Sequence, residues 1–140
     1  MKQEVMLDTG PLVALVNRRE QFHNWVTNQL REIEPPLFTC EAVITEACFL
    51  LQNVYGGEPA VISLMQRGII QIEFRLSQEI ALVGELMRRY QSVPMSLADA
   101  CLVRMTELSP LSELLTLDSD FTIYRKNQNQ VISVIMPEVG

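Results

Sequence analysis

Five short apolar runs in this chain are separated by stretches that read as helices, and that alternation limits the fold more than any other feature. The runs are Glu4 to Asp8 ("EVMLD"), Leu37 to Thr39 ("LFT"), Ile69 to Phe74 ("IIQIEF"), Glu113 to Leu117 ("ELLTL") and Val131 to Ile135 ("VISVI"). Strands joined through helices pair in parallel with right-handed crossovers. The expected fold is therefore α/β: a three-layer helix–sheet–helix sandwich around a central, mostly parallel five-stranded sheet.

The intervening helices have their own signals. Gly10 and Pro11 mark a start, with Pro at the first helical position. From Phe22 to Ile33, the residues Phe22, Trp25, Val26, Leu30 and Ile33 share one face, and Pro35 and Pro36 end the run. Glu41 to Val54 is a strongly apolar helix closed by Gly56 and Gly57, and Pro59 to Arg67 is another, ended by Gly68. Ser77 to Tyr90 is amphipathic, with Ile80, Leu82, Val83, Leu86 and Met87 expected inward. Ser96 is placed to cap a helix over Leu97 to Leu108. At 140 residues the chain reads as one domain, 1–140, with no repeat, linker or low-complexity segment.

Composition bounds the function. The chain is 48% hydrophobic and 20% charged, as globular proteins are. No apolar run reaches the ~18 residues of a membrane span, and no signal-peptide pattern opens the chain, so a cytoplasmic location and no membrane partner are expected. The net charge of −6 speaks against a large non-specific nucleic-acid surface and leaves room for a small basic patch. Arg18, Arg19, Arg125 and Arg104 are either phosphate contacts beside an acidic site or plain surface charge. Cys40, Cys48 and Cys101 have no CxxC spacing, and Cys48 and Cys101 read as reduced core thiols. The single histidine, His23, reads as a helix surface residue, and no zinc site can be assembled.

The carboxylates are unevenly distributed. There are 13 Glu but four Asp: Asp8, Asp99, Asp118 and Asp120. In sheets of the expected kind, ligands bind beyond the carboxyl ends of the strands, where the strand order reverses. Asp8 ends the first run and Asp118 follows the fourth. Asp99 begins a helix that starts near the same edge; it also completes an S-x-x-D pair with Ser96, which resembles a capping box. Glu46 lies in a helix whose only polar residues from Ala42 to Leu51 are Thr45 and Glu46, and no Lys or Arg occurs between Arg31 and Arg67. It is either a buried carboxylate that needs a metal or partner, or one residue of an exposed strip with Thr45 and Glu41. Asp8, Glu46, Asp99 and Asp118, once converged, repel one another. The commonest reason to keep such a cluster is a hard divalent cation, Mg²⁺ or Mn²⁺, serving phosphodiester hydrolysis.

The segments "MLDTGPLVAL", "TCEAVITEACFLL", "SLADACLVRMTE" and "LLTLDSDFTIYR" resemble the four motif regions of PIN-domain ribonucleases, from Glu4 to Ile135, and are most similar to the VapC-like toxins of toxin–antitoxin pairs. The resemblance implies that Asp8, Glu46, Asp99 and Asp118 coordinate Mg²⁺ or Mn²⁺. It implies a hydroxyl near the metal at Thr116, and matches Thr9 to a Ser or Thr that follows the first Asp. Asp120 is then a group behind the ligands or at a second metal, or simply the cap of a short turn beginning at Phe121. The resemblance further implies RNA as substrate, an antitoxin that covers the site, and a homodimer. The competing reading is a PIN-like module that holds RNA or protein without cutting. A haloacid-dehalogenase phosphatase would need D-x-D where Asp8-Thr9-Gly10 stands, a receiver domain needs a lysine on a late strand, and neither GxxxxGK nor GxGxxG occurs.

Overall fold

The computed structural model describes residues 3–138. Five parallel strands form the sheet: β1 (Val5–Leu7), β2 (Leu37–Thr39), β3 (Ile70–Ile72), β4 (Glu113–Leu115) and β7 (Val134–Ile135), in the order β3-β2-β1-β4-β7. The register is set by Met6 opposite both Phe38 and Leu114. Val5, Met6, Leu7, Leu114 and Leu115 are all buried, as strands covered on both faces must be.

Topology follows from crossover handedness. The chain steps from β1 to β2 through α1 (Thr9–Val16) and α2 (His23–Glu32), and from β2 to β3 through α3 (Glu41–Leu50) and α4 (Gly57–Gln66). Both steps move the same way across the sheet, so right-handedness puts these helices on one face. There α1 packs on α2, α3 and α4. The return from β3 to β4 reverses direction, so α5 (Leu76–Arg89) and α6 (Leu97–Leu108) cover the other face and pack on each other. The order reverses between β1 and β4, and that is the edge where Asp8 and Asp118 emerge.

Local differences have local causes. Helix α1 starts at Thr9, so Pro11 is its third residue rather than its first; its missing N–H costs nothing there because the first turn has no intrahelical acceptors. Helix α3 stops at Leu50, and the chain turns through Gly56 at φ +71°, a conformation glycine adopts freely. In α5, Val83 and Leu86 are buried, but Ile80 and Leu82 are exposed. The expected fifth strand is divided. Gln130–Val131 (β6) pairs antiparallel with Arg125–Lys126 (β5), and only Val134–Ile135 extends the sheet. Asn127 and Gln128, both at positive φ, turn this hairpin. Lys126 lies in β5, outside the main sheet, with its Nζ donating to the Pro110 carbonyl. Among the described residues, no helix is long and apolar enough to cross a membrane.

Two side-chain expectations change. The buried thiols are Cys40 and Cys101, while Cys48 is half-buried. His23 is half-buried, not a surface residue, and its Nδ1 bonds the Ala14 carbonyl at 2.7 Å.

Candidate active site

The site is built outward from Asp8. Strand β1 ends at Leu7, and Asp8 takes extended backbone angles to cap α1. Its Oδ1 accepts from the Thr9 backbone N–H at 2.7 Å, and its Oδ2 accepts from Thr116 Oγ1 at 2.7 Å. The Asp8 N–H donates to the Leu115 carbonyl at 3.1 Å, which ties the cap to β4. Asp8 is only 6% exposed. Burial pushes its carboxyl from 3.8 up to about 6; the Thr116 and Thr9 bonds oppose the rise, and the charges of Asp99 and Asp118 add to it.

Thr116 is the joint between the two strand ends. While it donates to Asp8, its Oγ1 accepts from the Asp118 N–H at 2.9 Å. The residue is fully buried. Replacing it with Val leaves the Asp8 oxygen and the Asp118 N–H without this partner. We expect Thr116→Val to lose about 1–3 kcal/mol in urea unfolding, and Thr116→Ser to lose far less because the hydroxyl is kept.

Asp118 is half-buried and caps the 3₁₀ turn Ser119–Thr122, its Oδ1 accepting from the Asp120 N–H at 2.9 Å. The cap of this turn is thus Asp118, not Asp120, and the turn begins at Ser119 rather than Phe121. Asp120 is half-buried, and its carbonyl accepts from Ile123 and Tyr124.

Asp99 is the third residue of α6 and makes a complete capping box: Ser96 Oγ accepts from the Asp99 N–H at 3.0 Å, and Asp99 Oδ2 accepts from the Ser96 N–H at 3.1 Å. The cap does not remove it from the site. Burial raises its pKa first, and the charges of Asp118 and Glu46 raise it further, against the Ser96 bonds.

Glu46 had two readings. It is exposed on α3 together with Thr45 and Glu41, so the exposed strip holds and the buried carboxylate does not. Helix α3 packs on α1, α4 and α6 yet leaves Phe49 65% and Leu50 54% exposed. The charge of Glu46 nevertheless reaches Asp99.

Four acidic residues therefore share one electrostatic neighbourhood. Asp8 and Asp118 are joined through Thr116, Asp99 faces both, and Glu46 stands at the α3 side. Among the described residues, no three His, Cys, Asp or Glu side chains are gathered closely enough to hold one ion as they stand. Two features nonetheless suit a cation. Asp8 is a buried carboxyl whose charge is disfavoured by its own surroundings and its neighbours, and Thr9 Oγ1, beside it, is buried without a hydrogen-bond partner.

Tyr124 belongs to the same cluster and has no counterpart in the sequence reading. It is fully buried, and its hydroxyl donates to the Pro94 carbonyl. Burial, then the charges of Asp99, Asp120 and Asp118, push its pKa well up. Its ring meets Phe121 edge-on at 5.3 Å and Tyr90 at 5.1 Å. The available signal was one aromatic placed between the acidic turn and a basic pair, and "DFTIYR" alone does not say that the ring turns inward.

The basic residues are placed differently from expectation. Arg18 and Arg19 follow the far end of α1, about 12 Å along the helix from Asp8. Arg104 is held by Glu79 at 2.7 Å and Glu107 at 3.1 Å, and Arg125 Nη1 by the carbonyls of Thr122, Ile123 and Tyr124. The Tyr90–Tyr124 contact ties the end of α5 to the acidic edge, but Arg88 and Arg89 run back along their own helix, Arg88 Nη1 beside Gly84 and Arg89 Nη2 on Glu85 at 3.4 Å.

A family model described as PIN domain matches residues 5–127. The fold also matches the crystal structure of VapC20 of Mycobacterium tuberculosis, described as a sarcin-ricin loop cleaving toxin, with a TM-score of 0.74, 18% identity, and coverage of 86% of this chain and 94% of that one. No curated protein matches the sequence.

Proposed function

The chain belongs to the PIN domain family, and from that premise we propose that it is a metal-dependent endoribonuclease, the toxin component of a toxin–antitoxin pair, acting as a single domain in the cytoplasm. The observation that carries this reading is Asp8, buried at the β1/β4 reversal, fixed through both oxygens, and surrounded by the charges of Asp99 and Asp118.

Asp8, Glu46, Asp99 and Asp118 are the residues to hold Mg²⁺ or Mn²⁺. When bound, such an ion supplies Lewis-acid stabilisation of the charge that builds on a phosphodiester during hydrolysis. The chain's own residues do the positioning. The Thr9 N–H and the Thr116 hydroxyl hold both oxygens of Asp8, so its carboxylate has one orientation. Thr116 also fixes the Asp118 backbone, so the two strand ends keep a constant separation. Asp120, with Asp118 and Asp99, adds negative potential above Tyr124.

RNA is the substrate class we assign, by likeness to a toxin whose described target is an RNA loop. A second copy and an antitoxin are the proposed protein partners. Leu50, Tyr55 and Ile62, exposed on or beside α3 and α4, are apolar surface of the kind such partners cover. The open spacing of the carboxylates favours one other reading, a PIN-like module that binds RNA or protein without cutting. Incubation with structured and single-stranded RNA separates the two. We expect cleavage in Mn²⁺ that EDTA stops and fresh Mn²⁺ restores; intact RNA under all three conditions leaves the binding module.

Glu46 offers a finer test. Glu46→Gln keeps its shape and removes a charge that disfavours ionised Asp99. We expect cleavage to fall roughly tenfold or more, as when a metal site loses a group that supports it. Thermal stability should change by less than about 0.5 kcal/mol, as for an exposed residue. Full activity in Glu46→Gln removes it from the site.

A further inference from the structure

Beside the acidic cluster lies a groove of about 550 Å³ lined by Ala42, Thr45, Glu46, Phe49, Ser96, Leu97 and Ala98. Small side chains, Ala42, Thr45, Ser96 and Ala98, leave room between two larger apolar ones, Phe49 from α3 and Leu97 from α6. Phe49 follows Glu46 by three residues, so the two share a helix face. The Phe49 ring is 65% exposed. The groove is continuous with the acidic cluster, because Glu46 forms part of its wall and Ser96 is the capping partner of Asp99.

Charge decides what such a groove accepts. None of its lining residues is basic, and one is a carboxylate. No Lys or Arg occurs in the sequence between Arg31 and Arg67, which includes all of α3. A phosphate placed here would meet only negative charge. A polyanion crossing the acidic cluster can put only its uncharged part into this groove. For RNA that part is the base, and an exposed aromatic ring is the usual platform for an unpaired one.

We propose that this groove seats one unpaired nucleobase of the substrate against Phe49, next to the bond to be cut, which makes Phe49 a specificity-determining residue. This rests on the ribonuclease reading for its catalytic meaning, but not for its binding test. A stacked base in the groove requires a nucleotide released from a helix, so fully paired RNA should be a poor substrate. Glu46 and Thr45 line the rim beside such a base and offer acceptor oxygens to an exocyclic amino group.

The test uses the full chain in EDTA, so that binding is read without cleavage. The probes are fluorescein-labelled oligoadenylate and a ribose-phosphate oligomer of equal length without bases. By anisotropy, the parent should bind oligoadenylate roughly tenfold or more tighter than the abasic oligomer, the scale of a single stacked base. Phe49→Ala and Phe49→Leu should lose that margin and leave the abasic affinity unchanged, while Phe49→Tyr should keep it. Equal affinity of the parent for both probes, no measurable binding, or parental binding in Phe49→Ala or Phe49→Leu would overturn the proposal. So would a Phe49→Ala chain whose oligomeric state changes in sedimentation while oligoadenylate binding does not, since a second copy would then cover the groove. A parent that shows the base margin yet cuts no RNA in Mn²⁺ leaves the groove assignment standing and removes the nuclease reading; one that cuts RNA with no base margin does the reverse.

Discussion

Asp8→Asn should abolish RNA cleavage, by at least about a hundredfold, while making the metal-free protein more stable than its parent. The two effects have one origin. In the folded chain the carboxyl of Asp8 titrates at about 6 instead of 3.8, chiefly because it is buried. A carboxyl whose folded pKa is raised contributes its stability fully below the unfolded value and loses it as pH climbs through the folded value. That window runs from about pH 4 to pH 6, so at pH 7.5 the whole cost of ionised Asp8 falls on the folded state. Two pKa units correspond to about 3 kcal/mol. Asparagine avoids the charge but turns one acceptor into a donor, and so forfeits one of the two bonds from Thr9 and Thr116. A net gain of about 1–2 kcal/mol, or roughly 3–7 °C in melting temperature, is the expected balance at pH 7.5. At pH 4 the gain should disappear, because Asp8 is then protonated in the parent. Parental cleavage by Asp8→Asn removes the assigned site; a variant less stable than the parent at pH 7.5 shows that the two hydrogen bonds outweigh the buried charge.

What could be read from the sequence depended on whether a local pattern had one physical outcome. Alternating apolar runs and helices have essentially one, a parallel sheet covered by helices, whereas the strand order that reverses between β1 and β4 is supplied by the structure. Asp8 and Asp118 were placed at that edge because residues after the first and fourth strands emerge there, whereas Thr116 came only from the family resemblance. Glu46 was left between a buried carboxylate and an exposed strip because an apolar surround does not by itself fix burial. Helix α3 keeps Phe49 and Leu50 on an open surface, so its composition reflects more than the core. The division of "VISVI" was hidden because β-propensity does not distinguish joining a sheet from folding back on a two-residue hairpin strand; Asn127 and Gln128 at positive φ decide it. Whether Asp120 caps the acidic turn stayed open because either spacing suits a turn, and only the backbone N–H of Asp120 pointing at Asp118 selects Asp118. Tyr124 was missed because inward orientation of a single aromatic leaves no periodic trace.

Mn²⁺ should raise the melting temperature of the parent, and the rise should depend on the carboxylates one by one. A ligand that binds only the folded chain stabilises it by RT ln(1 + [L]/Kd), about 1.4 kcal/mol at ten times Kd. For 140 residues this amounts to roughly 3–6 °C. K⁺ at matched ionic strength should give no such shift, since screening alone weakens repulsion among exposed charges and scarcely reaches a group as buried as Asp8. The shift should also shrink below pH 6, where protons compete for Asp8. Asp99→Asn and Asp118→Asn isolate the other members. Asparagine at 99 still offers an oxygen to the Ser96 N–H, and at 118 still offers one to the Asp120 N–H, so both caps persist. Each substitution removes a charge that disfavours ionised Asp8. Against that, Asp99→Asn gives up a charge at the α6 N-terminus worth about 0.3–1 kcal/mol. Metal-free stabilities close to the parent's are therefore expected for Asp99→Asn and somewhat higher ones for Asp118→Asn. Added Mn²⁺ should then move either variant by less than half of the parental shift. A parent indifferent to millimolar Mn²⁺, or variants that respond as fully as the parent, would reduce Asp99 to its capping box and Asp118 to its turn, and the metal-dependent reading would fall with them.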